Sequence, residues 1–204
     1  MITVYGGVYS RANMVMCVLE SLGVAYQNVP MAPRSEPTRT PEYLALNPTG
    51  KLPTLVDGEL VLWESQAILF YLARKYGDGL LWVDTLEQEA DLYRWSLFIS
   101  NQIEVPALDM LLAVKYADGE PDESFIDVQR QAIMRFLPVL ESHLQDKEYL
   151  VAGKLTVADF HGATVLSWPE VAGFDYADYP AVKRWVSRIQ ALPVQETVRQ
   201  RGRG

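Results

Sequence analysis

Asn47-Pro48-Thr49-Gly50-Lys51-Leu52-Pro53-Thr54-Leu55-Val56-Asp57-Gly58, followed by Leu62-Trp63-Glu64-Ser65-Gln66-Ala67-Ile68, decides how the first part of this chain folds. Asn-Pro and Gly make a turn, because proline fixes φ and glycine supplies positive φ. The turn delivers the chain to Leu52-Pro53, a tertiary amide that can hold the cis form ordinary peptide bonds almost never adopt. A cis bond is expected here, leaving the Leu52 backbone free for an extended peptide ligand to lie antiparallel to it, like an added strand. Asp57-Gly58 is a hairpin turn, and Glu64-Ser65 then opens an apolar helix. Helix N-termini favour anions because their first N–H groups lack partners within the helix. Glu64 can take an ammonium and Ser65 a carboxylate. Each half alone has an ordinary reading: Leu-Pro before a β-branched residue is common in loops, and Glu-Ser before an apolar run is a plain helix start. Both together, in this order, point to a ligand.

Upstream, Ile2–Tyr5 reads as a short strand and 11–22 as a helix, with Val15, Val18, Leu19 and Leu22 at helical spacing and Gly23 closing it. Tyr26–Val29 reads as a second strand. The loop 30–39, rich in proline, serine and arginine, leads through Thr40-Pro41-Glu42 into a short helix ending near Leu46. Strands at 54–56 and 60–62 flank the hairpin turn, and a helix over 64–76 completes a β-α-β then β-β-α order, that of a thioredoxin-like unit. Gly77-Asp78-Gly79 breaks the pattern, and beyond Thr85 no strand is evident. Helices are expected over 85–117 with a kink at Pro106, and over 122–145, 156–171 and 180–192. The expected organisation is an α/β N-terminal thioredoxin-like domain (1–77), a linker (78–84) and an all-α C-terminal helical domain (85–204). Thr156-Val157-Ala158-Asp159 reads as a capping box with Asp159 in place of Glu or Gln, a structural role worth about 1 kcal/mol.

The 204 residues allow one large domain or two small ones with real cores. A formal charge of -8 argues against a nucleic-acid surface, which needs clustered Lys and Arg. The basic tail Arg199-Gln200-Arg201-Gly202-Arg203-Gly204 is too short to change that and is expected to be frayed. No long uncharged apolar run and no signal peptide pattern appear, so no membrane role and a cytoplasmic address are expected. The single cysteine, Cys17, excludes an internal disulfide and reads as a buried, inert thiol. Without Cys-x-x-Cys, redox chemistry through protein thiols is not available. His143 and His161 have no spacing of other ligands that suggests a metal, and none is expected. Trp95, Trp168 and Trp185 read as core residues.

Together these stretches resemble the cytosolic glutathione S-transferases over nearly the whole chain. The resemblance rests on the opening strand and helix, the block 47–76, Gly153-Lys154-Leu155-Thr156-Val157-Ala158-Asp159, and Tyr179-Pro180-Ala181-Val182-Lys183-Arg184-Trp185. Within the family, Tyr5-Gly6-Gly7 with Ser10-Arg11-Ala12, and Leu62-Trp63-Glu64-Ser65, look most like the bacterial serine-type, chi-like members. The resemblance implies conjugation of the glutathione thiolate to small hydrophobic electrophiles, with glutathione as co-substrate. It also implies a homodimer whose contact includes the third helix and the long helix around residues 93–95. It leaves open glutathione-dependent isomerisation, dehalogenation or disulfide reduction, and a noncatalytic glutathione-fold binding protein. Glutathione binding is expected at Ser10, Arg34, Lys51, Leu52, Pro53, Glu64 and Ser65. Because glutathione is an anion and the chain is acidic, Arg11, Arg34, Arg39 and Lys51 matter as local positive charge.

A glutathione enzyme must turn a thiol into a thiolate, the competent nucleophile. Lowering a thiol pKa from near 8.5 by about two units takes roughly 2.7 kcal/mol. A helix dipole gives about 0.3 to 1 kcal/mol, and a charge-assisted hydrogen bond about 1.5 to 3 kcal/mol. A hydroxyl at the N-terminus of the first helix combines both, and Ser10 is there. By resemblance Ser10 also falls at the serine of serine-type transferases. Those enzymes often place arginine four residues later, where this chain has Met14, and proline after the glycine, where it has Val8. Arg11 can supply the positive charge as a second catalytic residue. Ser10 as a mere helix cap, and Asn13 or Tyr9 as substitutes, stay open. Tyr5, the tyrosine other transferases use, reads instead as a strand aromatic in the core. The electrophile pocket is expected between Val8-Tyr9 and the long helix after its kink, with Met110, Leu111, Val114 and Tyr116 as an apolar wall.

Overall fold

Strand β1 (Ile2–Tyr5) alternates, with Ile2 and Val4 buried and Thr3 and Tyr5 half-buried, the period-two signature of a strand with one face on a core. In this computed structural model, which describes residues 1–202, β1 is the second strand of a four-stranded sheet of order β2-β1-β3-β4. Strand β2 (Tyr26–Val29) pairs parallel to β1, and the crossover between them is helix α1 (Ala12–Ser21). Strand β3 (Thr54–Asp57) runs antiparallel to β1 with Tyr5 opposite Thr54, and β4 (Leu60–Trp63) runs antiparallel to β3. The short helix α2 (Pro41–Leu46) is capped by Thr40, whose hydroxyl accepts from the Tyr43 N–H. A single 3-10 turn at Glu36–Arg39, not expected, precedes it. Helix α3 (Ser65–Tyr76) packs on α1, burying Ile68, Leu69 and Leu72. Its last turn is tied to the β3–β4 hairpin through Asp57. One carboxylate oxygen there accepts from Tyr71 at 2.7 Å, Lys75 at 2.8 Å and Tyr76 at 2.5 Å. These donors hold the Asp57 carboxyl down at about 2.

Contacts divide the chain into two units, one of residues 1–82 with the segment from Ala191 onward, the other Val83–Gln190. In the helical unit, α4 (Leu86–Ile99) and α5 (Val105–Lys115) are joined by a π turn at Ser100–Glu104. The irregularity expected at Pro106 therefore lies just before it. Proline cannot bond back to the preceding turn, and one extra residue in that turn accommodates the loss. The widened turn directs Glu104 inward, where its Oε2 accepts from Ser100 at 2.9 Å and pairs with His161 Nε2 at 3.0 Å. The continuous helix Leu86–Lys115 is long and apolar enough to cross a membrane by length and composition, yet it is not an uncharged run, carrying Glu104 and Asp109 among its apolar residues. Its Leu92, Ile99, Ile103, Ala107 and Met110 are buried in this unit.

The single helix expected over 122–145 is two, α6 (Glu123–Met134) and α7 (Leu137–Leu144). Pro138 is the cause: inside a continuous helix its ring would collide with the Met134 carbonyl, but in the first turn of a new helix its missing N–H is not needed. Helix α8 (Val157–Val171) starts with the expected capping box. The fully buried Asp159 accepts from Thr156 N and Oγ1, Leu150 N and Trp185 Nε1, four donors that oppose the upward pKa shift burial imposes. Helix α9 is Pro180–Gln190.

A further helix, α10 (Pro193–Arg201), replaces the frayed tail and belongs to the first unit rather than with the helical region. It packs on α1, burying Gln195 and Val198, and Arg201 pairs with Glu20 of α1. Its pattern is faint in the sequence because Val194 and Val198 are its only aliphatic side chains. The last two residues of the expected tail lie outside the described residues.

Candidate functional site

The end of β1 turns at Gly6, and three parts of the first unit meet there. Gly6 has φ +134, and a Cβ built on it would stand 2.6 Å from Ala12 Cβ, 3.1 Å from Ser10 Oγ and 3.5 Å from Leu52 Cβ. Only glycine fits both the angle and the space. The corner is fixed by Gly6 N–H to Val29 O at 3.0 Å, and by Asn28 Nδ2, which donates to Gly6 O at 2.8 Å. Ser10 at the head of α1 and Leu52 before β3, far apart in sequence, are thus brought to one corner.

Ser10 is half-buried one residue ahead of the helix cap, Arg11. Its hydroxyl donates to Gly7 O at 2.7 Å and accepts from Ala12 N–H at 3.1 Å. Its one proton is already committed to a neutral carbonyl. Asn13 Oδ1 accepts from Cys17 Sγ at 3.7 Å, and Tyr9 is 77% exposed. Tyr5 is half-buried and packs against Tyr43, ring centroids 5.9 Å apart and planes tilted by 53°.

The Leu52-Pro53 bond is cis. Among the described residues no protein group hydrogen bonds the Leu52 N–H or C=O. Around them the chain is tightly held. Asn47, 1% exposed, donates to Lys51 O at 2.9 Å and Thr54 Oγ1 at 3.0 Å, and accepts from Thr49 N–H at 3.0 Å and Thr49 Oγ1 at 2.7 Å. Tyr43 donates to Lys51 O at 2.6 Å and meets Thr54 Oγ1 at 2.8 Å. Burial pushes the Tyr43 phenol up. In sequence the one sign of this arrangement is that Tyr43 and Asn47 stand four residues apart, one helical turn at the end of α2.

Glu64 is exposed with φ 72 and ψ 113, a left-handed region that costs a non-glycine residue about 1 to 3 kcal/mol. It offers α3 no side-chain cap, unlike Thr85 on α4 or Asp122 on α6. Ser65, buried, is the first residue of that helix. Arg34, Arg39 and Lys51 are all exposed. Gly50, beside Lys51, abuts Thr38 O of the 3-10 turn that ends in Arg39, so these two cations flank one junction. Of the apolar positions, Val8 is half-buried against Gly202; in the helical unit Met110 is fully buried, Leu111 and Val114 half-buried and Tyr116 exposed. Among the described residues no cluster of ligands could hold a metal.

A thioredoxin-like α/β unit with a cis-proline turn and an uncapped helix start, joined in sequence to an all-helical unit, is the architecture of glutathione transferases. The family models for the glutathione S-transferase N-terminal and C-terminal domains match residues 1–74 and 96–193. Glutathione S-transferase 4 of Zea mays is 32% identical over 98% of this chain and 92% of its own length. Glutathione S-transferase GstB of Escherichia coli is 26% identical over 97% of each. The crystal structure of glutathione transferase URE2P6 from Phanerochaete chrysosporium, in complex with oxidized glutathione, matches with a TM-score of 0.87 at 27% identity, covering 99% of this chain and 96% of that one. The chain belongs to the glutathione S-transferase family, and it is a glutathione transferase.

Proposed function

We propose that this chain is a serine-type transferase, most like the chi-like bacterial members, in which Ser10 stabilises the glutathione thiolate for attack on a small hydrophobic electrophile. The observation that carries this is the Gly6 corner, with Ser10 Oγ and the Leu52 side chain both within 3.5 Å of the same point. A peptide thiol laid antiparallel to Leu52 brings its sulfur to the head of α1. The thiol proton leaves to solvent, and the sulfur attacks the electrophilic carbon. The S–C bond forms as a leaving group departs with its electron pair or, in an addition, as the adjacent atom takes a proton from water.

The Ser10 hydroxyl must rotate away from Gly7 O to serve the thiolate. That exchanges a neutral bond worth about 0.5 to 1.5 kcal/mol for a charge-assisted one of about 1.5 to 3 kcal/mol. The net gain is roughly 1 kcal/mol, or somewhat under one pKa unit. The dipole of α1 and the Arg11 guanidinium supply the rest of the shift. At the remote end the γ-glutamyl ammonium goes to Glu64 and its carboxylate to Ser65 and the uncapped start of α3. The glycyl carboxylate goes to the cationic side at Arg34, Arg39 and Lys51. The electrophile approaches on the side of Val8 and Tyr9.

The protein acts as a cytoplasmic homodimer in detoxification. The dimer is supported by Tyr93, Leu97 and Val105, apolar side chains exposed along the Leu86–Lys115 helix; Trp95, expected in that contact, is buried. The deciding experiment is thiolate absorbance on titrating glutathione into the protein at neutral pH. Saturable binding with thiolate absorbance supports the reading; binding without it makes the protein a noncatalytic binder.

A further inference from the structure

The hydrogen bonds around Leu52-Pro53 have one consistent proton arrangement. The Tyr43 hydroxyl donates to Lys51 O, so it accepts from the Thr54 hydroxyl; that hydroxyl in turn accepts from Asn47 Nδ2, whose second proton goes to Lys51 O. Asn47 spends both donors and accepts twice at Oδ1, from the backbone and hydroxyl of Thr49. Every polar atom of this cluster is satisfied, and Tyr43, Asn47 and Thr54 are each less than 5% exposed. A fully satisfied buried network rigidifies what it holds.

What it holds is specific. Lys51 and Thr54 are the residues on either side of Leu52-Pro53, and the same two side chains, Tyr43 and Asn47, grip both. They touch neither Leu52 nor Pro53 by hydrogen bond, yet they fix the segment at its two ends. We propose that Tyr43, Asn47 and Thr54 are positioning residues that hold the Leu52 N–H and C=O in the attitude that receives the cysteinyl backbone of glutathione. This rests on the glutathione reading above. Their contribution is to affinity, because the cysteinyl backbone is held alike before and during thiol attack. Ser10 acts on the sulfur, not on this bond, so the network and the thiol activation are separable.

The test compares Tyr43→Phe, Thr54→Val and Thr54→Ser with the parent protein. Each is first shown to be folded by circular dichroism, and then titrated with reduced glutathione by calorimetry and in steady-state kinetics. Tyr43→Phe and Thr54→Val each remove one hydroxyl and nothing else of size, and each is expected to weaken glutathione binding about three- to tenfold. The change falls on KM, with kcat moving less than KM, and the pH profile of the bound thiol stays in place. Thr54→Ser keeps the hydroxyl and is expected to bind within about twofold of the parent. A general loss of packing would instead affect Thr54→Ser, which removes a buried methyl, at least as much as Thr54→Val. Should Tyr43→Phe fail to fold, the Thr54→Val and Thr54→Ser pair decides. Folded Tyr43→Phe and Thr54→Val proteins that bind glutathione as tightly as the parent, or a Thr54→Ser protein as weak as Thr54→Val, overturn the proposal and leave the transferase reading standing. A parent protein that binds no glutathione overturns both.

Discussion

The two ends of the site are built on different principles. The peptide end, residues 47–54, is held by a buried polar network in which every partner is satisfied. The thiol end, residues 6–11, is anchored at Gly6 and Gly7 by bonds to Val29, Asn28 and Met31, but its key hydroxyl sits on a half-buried loop in a local bond to Gly7 O. A rigid end suits ground-state recognition, where geometry is paid for once during folding. An end with an exchangeable bond suits chemistry in which charge appears only when the thiol ionises. The two ends meet at Gly6, where Ser10 Oγ and Leu52 Cβ crowd the same point.

The largest expected effect therefore comes from Gly6→Ala, which removes the distinction by damaging both ends. The new methyl meets Ala12 Cβ at 2.6 Å on a backbone angle of +134 that alanine resists. Urea unfolding should show a loss of about 3 kcal/mol or more, with glutathione binding gone from whatever remains folded. A fully stable variant that still binds would mean the corner is soft and the two ends are not joined through it.

Next comes Ser10→Ala, which should act on the thiol end alone. The pKa of bound glutathione is expected to rise by somewhat under one unit, from the exchange of bonds at Gly7. Turnover at pH 7 falls up to about fivefold and recovers at high pH, where solvent ionises the thiol. Glutathione affinity stays near that of the parent. If Ser10→Ala leaves the thiol pKa in place and Arg11→Ala abolishes its depression, the guanidinium performs the activation and the serine only caps the helix.

Glu64→Ala and Ser65→Ala probe the opposite end, with the opposite signature. Each should weaken binding about tenfold, since each loses one charge-assisted contact to the γ-glutamyl group. The thiol pKa should not move, because these contacts are equal in ground and transition states. A pKa shift in either variant would show that the ends are electrostatically coupled across the site.

Legibility in the sequence follows the same division between local and non-local causes. Strands β1 and β2 are read to the residue because Gly6, Gly23 and Pro30 bound them, and the hairpin because Asp57-Gly58 marks its turn. Leu52-Pro53 and Glu64-Ser65 are visible as motifs. Their supports are not: Tyr43 and Thr54 look like ordinary helix and strand residues until α2 and β3 are folded beside each other. The helix break before Pro138 was hidden by an apolar pattern that continues through it, and α10 by having too few apolar residues to make a pattern. The π turn is visible only as a proline one turn away.

The smallest effect, expected to be none, compares the head and the middle of α1 as environments for sulfur. At its head a ligand thiol meets a hydroxyl and the positive end of the helix. In its middle, Cys17 is fully buried, its one S–H shared between Gln195 Oε1 at 3.4 Å and Asn13 Oδ1 at 3.7 Å. Burial pushes its pKa up to about 12, against the opposing charge of Arg199. A thiol whose pKa is raised stays protonated until the pH passes that value, so at pH 8 Cys17 carries far less thiolate than an exposed cysteine. An alkylating reagent at pH 8 should leave Cys17 unmodified in the folded protein over a time that labels the urea-unfolded chain completely, with turnover unchanged. Fast labelling of the native protein would mean that α10 opens readily from α1. The helix that presents Ser10 would then be less firmly seated than its packing implies, and the thiol end would owe its weakness to motion of the whole helix rather than to the exchangeable bond at Gly7.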